Sequence, residues 1–151
     1  MILRKIKKIA NENQYSFVLL LGSWIYSFLR GNKSLIAAQN VIIKNIKNIK
    51  SDGLLLIAVS YNGFTCKKDL TVLNIRGKLI VKGDYSIGRG CRIDVGPKGL
   101  IEIGKGGYVN SFTNFIISQK LKIGDGCAIS WNCQFLDEDF HDIQYEAKKT
   151  N

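Results

Sequence analysis

The chain has 151 residues, enough for one domain with a sizeable core and too few for a second independent one. Its 22 Lys and Arg against 12 Asp and Glu give a net charge of +10, which suits an anionic partner such as phospholipid, a nucleotide-like cofactor or nucleic acid, without choosing among them. The four cysteines, Cys66, Cys91, Cys127 and Cys133, form no C-x-x-C pair, which argues against zinc and thioredoxin-type chemistry.

Residues 1–33 differ from the rest. Leu3, Ile6 and Ala10 recur at helical spacing between Arg4, Lys5, Lys7 and Lys8, the pattern of a basic amphipathic helix. An apolar run from Phe17 to Leu29 follows, too short for the roughly twenty residues a bilayer span needs. Ser27-Phe28-Leu29 before Arg30 is no signal-cleavage site. The segment reads either as a helical cap on the end of the body or as an interfacial attachment to anionic lipid, and the two are compatible.

From Ser34 to Leu73 the pattern is irregular β. Val41-Ile42-Ile43, Ile46 and Ile49 alternate with Lys44, Lys47 and Lys50, although Ile43, Ile46 and Ile49 also fit one helical stripe. Leu54 to Val59 is a short apolar run bounded by Gly53 and Asn62-Gly63.

From Gly77 onward a repeat emerges. Ile87-Gly88-Arg89-Gly90-Cys91-Arg92-Ile93, Ile103-Gly104-Lys105-Gly106-Gly107-Tyr108-Val109 and Ile123-Gly124-Asp125-Gly126-Cys127-Ala128-Ile129 share Ile-Gly-charged-Gly-small-x-aliphatic. Their starts lie 16 and 20 residues apart, straddling the 18 that three six-residue faces would give, with Pro97-Lys98-Gly99 marking an irregular corner. Ile123, Ile129 and Phe135 continue the six-residue step, which fits neither helix nor simple strand but does fit a β-solenoid. The frequent glycines and scarce proline suit its tight corners. Cys91, Cys127 and Cys133 each fall four residues after such an inward aliphatic, the place of a small buried thiol rather than of a disulfide, and this favours a reducing compartment.

The hexapeptides, followed by Ser130-Trp131-Asn132 and by Asp137-Glu138-Asp139-Phe140-His141, resemble the left-handed parallel β-helix acyltransferases, in particular the O-acetyltransferases of capsule, lipopolysaccharide and exopolysaccharide synthesis. The resemblance runs from about Lys78 to Ile143. It implies an all-β, left-handed parallel β-helix over residues 34–151 behind an N-terminal helical segment, residues 1–33. It also implies a homotrimer with active sites in the grooves between subunits, acetyl-coenzyme A as acyl donor, a sugar or polysaccharide acceptor, and neither metal nor nucleic acid. A cytoplasmic setting follows, at the inner face of the membrane if the N-terminal segment touches lipid.

By the same resemblance His141, the sole histidine, is the general base that deprotonates the acceptor hydroxyl for direct attack on the thioester. An imidazole accepts a proton near neutral pH, which suits that role. Asp139 or Asp137 could orient the ring or bind a sugar hydroxyl, and Asn114 matches an asparagine that contacts the acceptor. Trp131 reads as a packing or subunit-contact residue. One histidine per chain excludes a β-helix carbonic anhydrase, whose zinc needs three.

Family members continue through further coils that build much of the coenzyme A groove, whereas ten residues follow His141 here. The expectation is a C-terminally truncated chain carrying the acceptor half and the base. The competing readings are a non-catalytic remnant or assembly partner and a basic membrane- or nucleic-acid-binding module.

Overall fold

The computed structural model describes residues 2–60 and 63–138. Two helices, α1 (Ile2–Glu12) and α2 (Phe17–Leu29), precede a parallel β-solenoid. Its first coil is β1 (Leu35–Ala37), β2 (Val41–Lys44) and β3 (Ile49–Ser51); the second is β4 (Leu55–Ile57), β5 (Thr71–Ile75) and β6 (Lys78–Val81). The third is β7 (Tyr85–Ile87), β8 (Arg92–Val95) and β9 (Leu100–Ile103), and the fourth β10 (Tyr108–Val109), β11 (Asn114–Ile117) and β12 (Lys120–Ile123). β13 (Ala128–Ile129) and β14 (Gln134–Leu136) begin a fifth. Each strand pairs in parallel with the strand three places on, so three sheets form: β1-β4-β7-β10-β13 on face A, β2-β5-β8-β11-β14 on face B and β3-β6-β9-β12 on face C.

Alternate residues point inward and stack in register. Ile43, Leu73, Ile93, Phe115 and Phe135 form one column on face B, and Ser51, Val81, Ile103 and Ile123 one on face C. The Phe115 and Phe135 rings stack with centroids 4.8 Å apart and planes at 7°, a separation that matches the spacing of paired strands. The six-residue step of Ile123, Ile129 and Phe135 is therefore one inward residue on each of three successive faces.

The coil is longer than eighteen residues. Register advances by 20 from Leu35 to Leu55, 30 from Leu55 to Tyr85, 22 from Ile87 to Val109 and 20 from Val109 to Ile129. The interval of 16 between the first two repeats is not a coil at all. Ile87 ends a face A strand, whereas Ile103 and Ile123 end face C strands and partner each other. The repeats resemble one another because different corners solve one problem: the second glycine of each, Gly90, Gly106 and Gly126, has φ of 71°, 70° and 67°.

These glycines are not equivalent. A Cβ on Gly90 would strike the ring of Phe112, one coil on, whereas a Cβ on Gly106 would meet nothing. Gly106→Ala is expected to cost about 1–2 kcal/mol, the left-handed backbone alone. Gly90→Ala should cost roughly 2–4 kcal/mol, because a collision in a packed place is added. Urea unfolding of the two variants checks the difference, and equal losses would contradict the Phe112 contact.

The strand reading of 34–73 holds for β1 to β5 but not for the long connection between β4 and β5 or for one short turn. After β2, Asn45 takes a left-handed φ of 59° and Ile46–Asn48 forms a single 3₁₀ turn, which puts Ile46 and Ile49 into the core. Carboxylates tie corners to the preceding coil: Asp84 accepts the Leu54 amide at 2.6 Å and Asp125 the Lys105 amide at 2.9 Å.

The helices shield the first coil. Ser23 of α2 accepts the Ala37 amide at 2.9 Å, and Asn32 donates to the Ile49 carbonyl at 3.1 Å, so side chains satisfy backbone groups at the otherwise open edges of β1 and β3. The cap also wraps round the side of the solenoid. Ile6, Ile9, Ala10 and Leu20 form a second buried cluster with Ile36 and Val59, which lie outside the solenoid core.

The expectation of three small buried thiols holds only for Cys91; Cys127 is exposed and Cys133 half-buried. Among described residues no coil lies over those two, whereas Cys91 sits between the second and fourth coils. Burial pushes the Cys91 thiol up to about 11 and, together with the charge of Cys127, the Tyr85 phenol up to about 12. Both groups are neutral when protonated, so the fold retains protons that the unfolded chain releases above about pH 9, and stability falls as pH rises from there through about 11. Cys91 alone should contribute a loss on the order of 2–3 kcal/mol. Urea midpoints at neutral and alkaline pH measure it, and Cys91→Val should flatten the profile.

Candidate functional site

Inward positions are filled by packing, so chemistry is left to the outward positions and the corners. On face B, Asn114 pairs in register with Arg92 and Gln134 and lines a hollow of about 360 Å³ with Lys44, Asn74, Arg92, Asp94 and Ile116. Asp94 is fixed at its floor: Asn74 donates to it at 3.0 Å and Arg76 at 3.1 and 3.2 Å. That ion pair is half exposed and adds little stability, but it holds the carboxylate in one orientation. The arrangement offers an amide, a carboxylate and cationic donors within one shallow groove, a set able to hydrogen-bond a polyhydroxylated ligand.

Asp137 has a structural job. Its carboxylate accepts the backbone amides of Ser118 at 2.6 Å and Gln119 at 2.8 Å, and Glu138 takes the Ser118 hydroxyl. Asp137 therefore closes the corner between faces B and C of the fourth coil, as Asp125 and Asp84 close earlier ones. Asp139 and His141 lie outside the described residues. The structure thus locates Asn114 on the outer surface of face B and leads the chain along that face to Asp137 and Glu138.

A second hollow, of about 440 Å³, opens on face A and has no counterpart in the sequence reading. Ser60, Ser86, Tyr108, Asn110 and Trp131 line it. Ser60 comes from the long connection between β4 and β5, at a corner that residues 38–40 or 88–91 turn elsewhere. Phe64 from this loop reaches down to Trp131, ring centroids 5.7 Å apart and edge-on, and to Phe112 at 6.1 Å. Trp131 does pack, as its sequence context suggests, yet it stays 46% exposed beside Tyr108 at 45%.

Arg89 pins the loop. It is buried, donates from Nε to the Ala58 carbonyl at 3.1 Å and from Nη1 to Thr65 Oγ1 at 3.5 Å, and lies 5.4 Å from the centre of the Tyr15 ring. Lys67 flanks the same ring at 5.1 Å and donates to the Gln14 carbonyl at 2.9 Å. The loop, the solenoid and the link between α1 and α2 meet at this one guanidinium.

Cys91 is inward and its thiol is held protonated at neutral pH, so it is unsuited to carry an acyl group. On face C the Lys120 ammonium, 3.0 Å away, lowers the Glu102 carboxyl, a solvated pair. Among described residues, no cluster of three or more His, Cys, Asp or Glu is placed to hold a metal, and no helix is long and apolar enough to cross a membrane.

No family model and no solved structure matches the chain. A curated relative does: the chain is 31% identical over 146 residues to an uncharacterized 24.8 kDa protein in the cps region of Klebsiella pneumoniae. The match takes in 95% of this chain, which spans 65% of the length of that relative. Nearly all of the chain, helices and solenoid alike, therefore lies within the similarity.

Proposed function

We propose that the chain serves acyl transfer in polysaccharide assembly, with an acetyl group passing from acetyl-coenzyme A to a hydroxyl of a sugar precursor. The observation that carries the reading is a three-faced parallel solenoid whose fifth coil, up to Asp137 and Glu138, is followed in sequence by Asp139, Phe140 and the only histidine. Similarity to a protein in a cps region fits a polysaccharide setting.

In this reading the His141 imidazole takes the proton of the acceptor hydroxyl as its oxygen attacks the thioester carbonyl. The tetrahedral adduct then expels the coenzyme A thiolate, breaking the carbon–sulfur bond, and the proton passes from the imidazolium to the leaving thiolate. Asn114 and its groove on face B contact the acceptor, whose hydroxyls suit the amide, carboxylate and guanidinium there. Asp139, two residues before His141, is the carboxylate assigned to orient the imidazole. The working unit is a homotrimer in a cytoplasmic setting, and acceptor and donor meet in the grooves between subunits.

Release of coenzyme A thiol, followed with acetyl-coenzyme A and a panel of nucleotide-linked and lipid-linked sugars, tests the proposal. It should be measured on this chain and on a chimera carrying the part of the Klebsiella relative beyond the aligned region. Acceptor-dependent release by either form supports acyl transfer. Silence from both, with the solenoid intact by circular dichroism, would sink it in favour of a non-catalytic assembly role.

A further inference from the structure

The helix α2 is amphipathic in the wrong sense for a soluble surface. Ser23 and Ser27 share its inward arc with Leu20 and Trp24, and their hydroxyls bond to backbone. The outward arc carries Val18, Ile25 and Leu29, spaced by seven and four residues and so in line on one face, with Leu19 and Tyr26 beside them. Val18 is 72% and Leu29 77% exposed. An unpartnered apolar face of this kind marks a surface that meets something apolar.

The charge around it selects the partner. Residues 1–51 hold nine Lys and Arg against one acid, Glu12, so +8 of the net +10 sits in the first third of the chain. Arg30 and Lys47 line a hollow with Leu29, the Arg30 guanidinium lies 5.2 Å from the centre of the Tyr26 ring, and the Lys33 ammonium 5.8 Å from that of Phe28. Packed along α2, α1 is amphipathic in the ordinary sense, with Ile6, Ile9 and Ala10 buried and Arg4, Lys5, Lys7 and Lys8 in solvent. A second copy would bring the same basic rim against this one and be repelled. An anionic bilayer offers both the apolar depth and the opposite charge.

We propose that α2 lies in the headgroup region of an anionic phospholipid surface, its Val18-Ile25-Leu29 face buried and the basic rim on lipid phosphates, so that the solenoid is held at the membrane by its first coil. At thirteen residues the helix rests in the interface without crossing it. The proposal does not depend on acyl transfer.

Flotation of the full chain with vesicles tests it. Binding is expected to phosphatidylcholine vesicles containing phosphatidylglycerol, not to phosphatidylcholine alone, and to weaken as salt shortens the screening length. The double variant Val18→Ser and Leu29→Ser should bind at least about tenfold more weakly with unchanged circular dichroism, since neither side chain packs inward. Should that variant fail to fold, Lys5→Glu and Lys7→Glu alter only exposed charges and should weaken binding about fivefold each. No binding by the unaltered chain overturns the proposal, as does binding that neither pair of substitutions diminishes. An oligomer in sedimentation equilibrium that Val18→Ser and Leu29→Ser return to monomer, without vesicle binding, assigns the face to a second copy instead.

Discussion

Replacing His141 by Ala is expected to lower acceptor-dependent release of coenzyme A by about 10²–10⁴-fold, the usual contribution of a positioned general base. The residual rate would come from positioning of donor and acceptor. If the proposed acyl transfer holds, kcat/KM of the unaltered chain should fall about tenfold per pH unit below the imidazole pKa, ordinarily about 6.5, because only the neutral ring accepts the proton. The variant should lose that acid limb. A His141→Ala protein of full activity, or one that keeps the acid limb, would remove His141 from the chemistry while leaving the solenoid unaffected.

The second large effect is structural. Arg89→Ala empties a buried position and removes the ties from the third coil to Ala58, Thr65 and the Tyr15 ring together, so a loss of about 3–5 kcal/mol is expected. Because the solenoid columns do not pass through this residue, the damage should concentrate on the loop and the helices. Limited trypsin cleavage after Lys67 and Lys68 should accelerate well before the strands unfold in urea. Arg89→Met keeps the volume without the hydrogen bonds and should recover part of the stability but not the protection from trypsin. Uniform, cooperative loss in both variants would show that the guanidinium is merely filling space.

How much of this was legible in the chain follows from what repeats. The corner sequences Ile-Gly-x-Gly announce a solenoid because a left-handed backbone position recurs at several of its turns, and Gly90, Gly106 and Gly126 all occupy it. The same generality hid the coil length: corners on different faces share one chemistry, so Ile87 and Ile103 looked like successive coils when they belong to one. Residues 58–70 have no periodicity, and nothing local foretold that Phe64 would meet Trp131 across three coils. The thiol expectation failed where burial depends on a neighbouring coil rather than on sequence position. Asn114 was singled out by resemblance, and the fold places it at an outward position of face B, whereas the corner role of Asp137 depends on amides nearly twenty residues earlier, which a linear reading cannot align.

The long corner between β4 and β5 also bears on how such a protein can change. Strands pair with their neighbours three places on whatever the connection between them, and the register resumes undisturbed on the far side of residues 58–70. Loop-closure entropy rises only by about 0.6 kcal/mol for each doubling of length. That corner is therefore an exchangeable cassette: a different insertion there would reshape the surface beside Tyr108 and Trp131, while the stacked columns that define the scaffold stay as they are.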